Sequence, residues 1–93
     1  IILGTARIAE AARGGAVSAL YHASGSSEDG RKKLDQAWRV GQEREGSGDR
    51  GAILPLDRAA LSVALGRDNV VHLALADDGA AARVTQILAR LLH

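Results

Sequence analysis

The chain has 93 residues, of which 46% are hydrophobic and 25% charged, and its 12 Lys and Arg against 11 Asp and Glu leave a net charge of +1. This length predicts one domain with a single modest core, and the near-neutral charge argues against a binder that holds nucleic acid by overall charge alone. The lack of cysteine excludes disulfides, thiolate catalysis and cysteine-based metal sites. No apolar run approaches the roughly 20 residues that span a bilayer, so we expect a soluble, cytoplasmic protein that does not bind membranes.

The opening of the chain predicts the first half of a βαβ unit. Residues 1–3 form a short apolar strand that breaks at Gly4, and Thr5 is expected to cap a helix that ends at residues 14–15 and buries Ile8, Ala11 and Ala12. A glycine and a capping hydroxyl at a strand-to-helix turn leave the first helical N–H groups open, and phosphate can bind there. Residues 16–23 then give the best candidate for a central strand.

The middle of the chain contains a helix between two loops. Residues 24–30 form a polar, acidic loop suited to a helix start, and the helix has a core stripe of Leu34, Ala37 and Trp38. Residues 41–51 are rich in glycine and charge and predict a mobile loop. Residues 52–55 predict a strand near a sheet edge, because their proline cannot donate to a ladder.

The remaining residues continue the alternation of helices and strands. Asp57 is expected to cap a helix closed by Gly66, residues 70–76 predict a second buried strand, and a last helix has the stripe Val84, Ile87, Leu88 and Leu91. The alternation predicts one α/β domain over residues 1–93, a three-layer αβα sandwich around a small four-stranded sheet, mixed or largely parallel. Sites are expected in loops at the carboxyl ends of its parallel strands: the Gly4 turn, the 24–30 loop and the turn after Ala76.

Three motifs in this order resemble those of a known superfamily: I-I-L-G-T-A-R-I-A-E-A-A-R-G-G, A-V-S-A-L-Y-H-A-S-G-S and A-L-G-R-D-N-V-V-H-L-A-L. They are similar to the Pelota-like superfamily of kink-turn-binding ribosomal proteins, and more narrowly to the second domain of bacterial YlxR-type nucleic-acid-binding proteins, encoded near transcription and translation factors. The resemblance implies an αβα sandwich with one more helix before the first strand. That helix is absent from this sequence, so we expect an upstream segment in a longer protein.

The resemblance also implies where RNA would bind. Members of the superfamily bind RNA with three segments. The first is the turn that Gly4 matches, the second is the loop after the second strand, which begins here at Ser24, and the third is the loop that enters the last strand, here residues 66–69. The kink-turn binders carry Asn, Glu and Lys in and after the turn, whereas this chain has Ala6, Arg7 and Glu10. The expected contacts are therefore to the RNA backbone, and the candidate RNA-binding residues are Gly4, Thr5, Arg7, Ser24, Arg31, Lys32, Lys33, Arg67 and Asn69.

Each candidate has an ordinary structural alternative. A glycine and a threonine can simply make a turn and a cap, Arg67 can be merely exposed, and Asn69 can serve the turn geometry. The basic run Arg31, Lys32 and Lys33 can be a solvated helix face, since acidic residues surround it. His22 and His72 interrupt apolar strands that lie side by side in the predicted sheet, so they can approach each other, but strand-end histidines with satisfied hydrogen bonds explain them best.

The pattern favours a non-enzymatic RNA-binding module for structured RNA, with ribosomal RNA as one candidate. The alternative is a protein-interaction or structural module that docks on its upstream segment or self-associates. A hydrolase using His22 or His72 with Ser24 is disfavoured, because the chain has no nucleophile elbow and nothing in the sequence supplies an orienting carboxylate. Two isolated histidines lack metal-ligand spacing, and the 24–30 loop lacks the lysine of a phosphate-binding loop, so neither a metal nor a cofactor is expected.

Overall fold

Seven strands and helices follow one another along the described part of the computed structural model, which comprises residues 1–76 and Gln86. They are β1 (Ile2–Leu3), α1 (Thr5–Arg13), β2 (Ala19–His22), α2 (Glu28–Gly41), β3 (Ala52–Ile53), α3 (Arg58–Leu65) and β4 (His72–Leu75). All three helices and all four strands predicted for this part of the chain are present. The predicted stripe of the last helix, Val84, Ile87, Leu88 and Leu91, lies outside the described residues.

The four strands form one mixed sheet in the order β1-β4-β2-β3. β2 and β3 are parallel, while β4 lies between β1 and β2 and is antiparallel to both. The predicted central position of β2 and edge position of β3 are confirmed. The turn after Ala76, predicted as a site, lies outside the described residues. Because β4 is antiparallel to β1 and β2, it ends at the opposite end of the sheet from the carboxyl ends of those two strands. The loop that enters β4 takes its place beside the Gly4 turn.

The helices begin and end as their capping residues dictate, with one exception. Ser27 caps α2 by accepting from the Gly30 N–H, and Asp57 caps α3 by accepting from the Ala60 N–H at 2.8 Å. Gly66 closes α3 in the left-handed conformation. The predicted cap at Thr5 is wrong: Thr5 is the first helical residue of α1, and Gly4 before it has no side chain to cap with.

The core consists of two clusters of buried side chains. One cluster joins α1 and α2 to the sheet through residues such as Ile8, Leu20, Leu34 and Ala74. The other joins α3 to the sheet through residues that include Leu54, Leu61, Leu73 and Leu75. Ala74 belongs to the first cluster and its neighbours Leu73 and Leu75 to the second, as expected when successive strand residues point to opposite faces. The described domain is therefore a small α/β fold with apolar packing on both faces of its sheet.

Candidate nucleic-acid interface

A cleft lies at the carboxyl end of β1, between the turn into α1 and the loop that enters β4. Its volume is about 620 Å³, and it is lined by Leu3, Gly4, Thr5 and residues 66–72. The antiparallel pairing sets Leu3 opposite Leu73, so the end of β1 lies beside the start of β4. Two of the three loops that the resemblance implies for RNA contact therefore border one cleft.

The turn into α1 exposes backbone donors on one side of this cleft. Gly4 has φ +93°, a conformation that favours glycine, and no side chain caps the helix. The Ile8 N–H donates to the Gly4 carbonyl at 2.9 Å, so the N–H groups of residues 5–7 precede the first intrahelical bond. The first turn also contains no acidic residue. The partial positive charge of the helix start is therefore not offset locally by a carboxylate.

The loop from Gly66 to Asn69 forms the other side of the cleft and is held by local bonds. The Arg67 N–H donates to the Ser62 carbonyl at 3.0 Å, and Asn69 adopts a left-handed φ of 56°. The Arg58 guanidinium donates to the side-chain oxygen Oδ1 of Asn69 at 3.5 Å. Asn69 thus has the turn geometry considered as its structural alternative, while the side chains of both Arg67 and Asn69 are exposed at the rim of the cleft.

Two further candidates lie outside the cleft. Arg7 is exposed but borders an adjoining shallow groove, together with Ile1, Ile2 and Glu10. Ser24 is half-buried, and its N–H donates to the Leu56 carbonyl at 2.8 Å. The structure therefore brings together Gly4, Thr5, Arg67 and Asn69, and it separates Arg7 and Ser24 from them.

The predicted basic run on α2 lies at a different surface and is partly structural. The Arg31 guanidinium donates to the Ser26 carbonyl and to its hydroxyl, which holds the loop before α2. Lys32 forms an ion pair with Glu28 at 3.0 Å, and an exposed pair of this kind contributes little stability. Arg31 and Lys32 border a second cavity, of about 790 Å³, beneath the loop between α2 and β3. Lys33 is exposed and lines neither cavity.

A buried chain of hydrogen bonds links the two strand histidines to an aspartate. The Nδ1 atoms of His22 and His72 lie 2.8 Å apart, and His22 Nε2 lies 2.8 Å from Asp35 Oδ1. The same carboxylate oxygen accepts from the Gly51 N–H at 2.9 Å. His22 is fully buried, and Asp35 and His72 are only 6% and 8% exposed. The histidines thus approach each other as the sequence allows, but the expectation that no carboxylate orients them is wrong.

Only one arrangement of protons satisfies this chain when both imidazoles are neutral. With Asp35 as a carboxylate, which only accepts, His22 Nε2 must carry a proton and donate to it. His22 Nδ1 then has a lone pair, so the Nδ1–H of His72 must donate to it. His72 Nε2 is therefore left as an unprotonated hydrogen-bond acceptor.

Asp35 is the residue of this region that the sequence-based argument missed. It follows Leu34 directly and is buried beside it, whereas the predicted buried face of α2 consists of Leu34, Ala37 and Trp38. An acidic residue beside an apolar stripe, in a chain with two histidines on neighbouring strands, was the available signal. Its partner Gly51 could not be found in this way, because it lies in the loop assigned as mobile.

The histidine pair predicts an acid-sensitive stability. Burial, then the nearby His22, lower the pKa of His72 below its ordinary 6.5, and Arg31 adds to this while Asp35 opposes it. The unfolded state therefore binds more protons than the folded state below pH 6.5, so the stabilisation is complete above that pH and is lost as pH falls through the lowered pKa of the folded state. We expect urea midpoints to decline from about pH 6.5 downwards, and His72→Asn to have a shallower decline. Parallel pH profiles for the two proteins would contradict this assignment.

Comparison with known proteins assigns no function to this site, and neither a metal centre nor a membrane-spanning helix is found in the described residues. Among the described residues, no three histidine, cysteine, aspartate or glutamate side chains are arranged to hold a metal ion. None of the described helices combines the length and apolarity needed to cross a membrane. Neither the models of known protein families nor the curated proteins give a significant match to the chain. The contacts around the cleft are therefore the basis for a functional proposal.

Proposed function

We propose that this chain is a non-enzymatic RNA-binding module that holds structured RNA in the cleft between the Gly4 turn and the loop from Gly66 to Asn69. The observation that carries the proposal is the uncapped start of α1 facing a loop with exposed Arg67 and Asn69 side chains across one cleft. Backbone N–H groups at a helix start and an arginine are typical donors to phosphate oxygens.

The charges of the cleft support a contact that is local and modest in strength. Arg67 carries a positive charge at the rim, and Asp68 beside it is exposed and acidic. The net charge of +1 provides no strong general attraction to nucleic acid. We therefore expect few phosphate contacts and a correspondingly small slope of the logarithm of affinity against the logarithm of salt concentration.

The architecture that we propose for this chain is the three-layer αβα sandwich of the Pelota-like superfamily, in the form resembling the second domain of YlxR-type proteins. Its support is the presence of two core clusters, with α1 and α2 in one and α3 in the other. An upstream domain of the same protein is the proposed partner in the chain. Ala6, Arg7 and Glu10 replace the Asn, Glu and Lys of the kink-turn binders, so recognition through the backbone is proposed instead of kink-turn specificity.

A filter-binding assay with a pool of RNA stem-loops of random loop sequence tests the proposal. Arg67→Glu is expected to weaken binding by about tenfold and to lower the salt slope by about 1, because it removes one phosphate contact and adds a repulsive charge. Arg13→Glu is the matched control, since Arg13 is exposed at the opposite end of α1 from the cleft. Arg7→Glu measures whether the adjoining groove contributes.

The same assay identifies the outcome that would contradict the proposal. If Arg67→Glu and Arg7→Glu both bind the pool as the unaltered chain does, the cleft is not the RNA site. If the unaltered chain binds no RNA and sedimentation shows self-association, the protein-interaction module becomes the better description.

A further inference from the structure

His72 lies at the point where the cleft meets the buried hydrogen-bond chain. It is more than nine-tenths buried and lines the cleft with residues of the Gly4 turn and the Arg67 loop. Its Nδ1 is engaged with His22, and Nε2 is on the other side of the imidazole ring. Among residues 1–76 and Gln86, none provides a hydrogen-bond partner for Nε2. Within this part of the chain, Nε2 is therefore the one ring nitrogen of the histidine pair without a partner.

The start of α2 leaves room beside this nitrogen. Gly30 is the third residue of α2, and a methyl group built on it would lie 3.3 Å from His72 Nε2. A side chain at position 30 would therefore contact this nitrogen closely, and glycine avoids that contact. The same methyl would also meet the Ser27 hydroxyl at 2.9 Å, and rotation of the serine relieves this contact at the cost of the capping bond from the Gly30 N–H.

We propose that His72 Nε2 accepts a hydrogen bond from a donor group of the bound RNA, either a ribose 2′-hydroxyl or a base amino group. This inference rests on the proposed RNA-binding function and adds a specific readout to it. The Asp35 and His22 side chains set the direction of the bond, since together they place the only imidazole proton of His72 on Nδ1. A phosphate oxygen, which carries no proton, is not recognised by this atom.

The acceptor is also controlled by pH. When the histidine pair gains one proton, the proton goes to His72 Nε2, the ring nitrogen of the pair that has no hydrogen-bond partner among the described residues, and Nε2 becomes a donor. The titratable and charged groups that bear on His72 are His22, Asp35 and Arg31. Burial lowers the pKa of His72, so Nε2 is an acceptor at neutral pH and the contact is lost only on acidification.

The tautomer is tested first, on the free protein. Nitrogen-15 spectra of the imidazole groups at neutral pH are expected to show a protonated Nδ1 and a bare Nε2 for His72, with the opposite pattern for His22. A proton on His72 Nε2 at neutral pH would overturn the proposal. This measurement requires no RNA, so its result is independent of the proposed function.

The contact is tested with the stem-loop pool made as RNA and, in the same sequences, as DNA. His72→Asn replaces Nδ1 with an amide that can still donate to His22, and it removes the acceptor at Nε2. We expect it to weaken RNA binding by about tenfold, the value of one hydrogen bond, without changing the salt slope. An unchanged DNA affinity identifies the 2′-hydroxyl as the donor, and an equal loss on DNA identifies a base amino group.

Gly30→Ala is the second variant, for the case that His72→Asn fails to fold. It keeps both imidazoles and covers Nε2, so it is expected to give the same loss of RNA affinity. RNA binding by the unaltered chain, combined with full affinity in both variants, would overturn the role of His72 and leave the RNA-binding function standing. Failure of the unaltered chain to bind RNA would overturn both.

Discussion

Replacement of Gly41 by alanine is expected to cost about 3 kcal/mol or more of the free energy of unfolding. Gly41 ends α2 where this helix meets the end of α1, and a methyl group there would overlap the Ala12 carbonyl oxygen. The methyl carbon would also lie 2.8 Å from the Ala12 carbonyl carbon and 2.9 Å from the Gly15 nitrogen. All three atoms belong to the backbone, so no side-chain rotation can relieve the contact.

The cost of Gly41→Ala is measured by urea and thermal unfolding followed by circular dichroism. A loss of this size lowers the midpoint temperature of a domain of this length by at least about 12 °C. Gly14→Ala is the matched control, because Gly14 has φ −79° and a methyl group there meets its nearest atoms at an ordinary 3.6 Å. We expect Gly14→Ala to remain within about 1 kcal/mol of the unaltered chain. Equal stability of the two variants would show that α1 and α2 do not approach as closely as the structure indicates.

Replacement of Asp35 by alanine is expected to lower the free energy of unfolding by about 3 kcal/mol. The change leaves both the buried His22 Nε2–H and the Gly51 N–H without an acceptor. Because Gly51 directly precedes β3, the loss also frees the loop that leads into this edge strand. The direction of the hydrogen bond between His22 and His72 is no longer defined either, since His22 can then adopt either neutral tautomer.

Asp35→Asn separates the contribution of the hydrogen bonds to stability from the contribution of the negative charge. The asparagine can place its carbonyl oxygen where Asp35 Oδ1 accepts both donors, so we expect it to cost only about 1 kcal/mol. The measurement is the urea midpoint of both variants at neutral pH. If alanine and asparagine destabilise equally, the shared carboxylate oxygen is not the source of the stability and the buried chain of bonds is wrong.

Local sequence signals predicted the described strands and helices because each signal acts over a few residues. Ser27 was within the loop assigned as a helix start, and Asp57 and Gly66 bound α3 as predicted. Capping depends on a side chain reaching an N–H group three residues away, so it can be read from adjacent positions. The failure at Thr5 was a shift of one residue, because a glycine can serve as the N-cap when its backbone turns into the helix.

The candidate site was only partly predictable because it depends on contacts between distant positions. The sequence identified Gly4 and Arg67 as candidates, but the direction of β4 decided that they share a cleft. The sequence of β4 does not specify whether its neighbours run parallel or antiparallel, since all four of its residues are buried and a continuous apolar run fits a strand covered on both faces in either direction. Arg7 was predicted at the same turn, and the rotation of the helix directs it to another groove.

By itself, the sequence determined the order of strands and helices in the described chain, the residues that cap α3 and most of the apolar residues that form the two core clusters. Only the tertiary structure decided the antiparallel course of β4, the cleft between Gly4 and Arg67 and the hydrogen bonds from Asp35 through His22 to His72. The physical reason is the separation along the chain over which each kind of interaction acts. Propensity, periodicity and capping involve near neighbours, whereas His22 and His72 are separated by 50 positions and meet only when their strands pair.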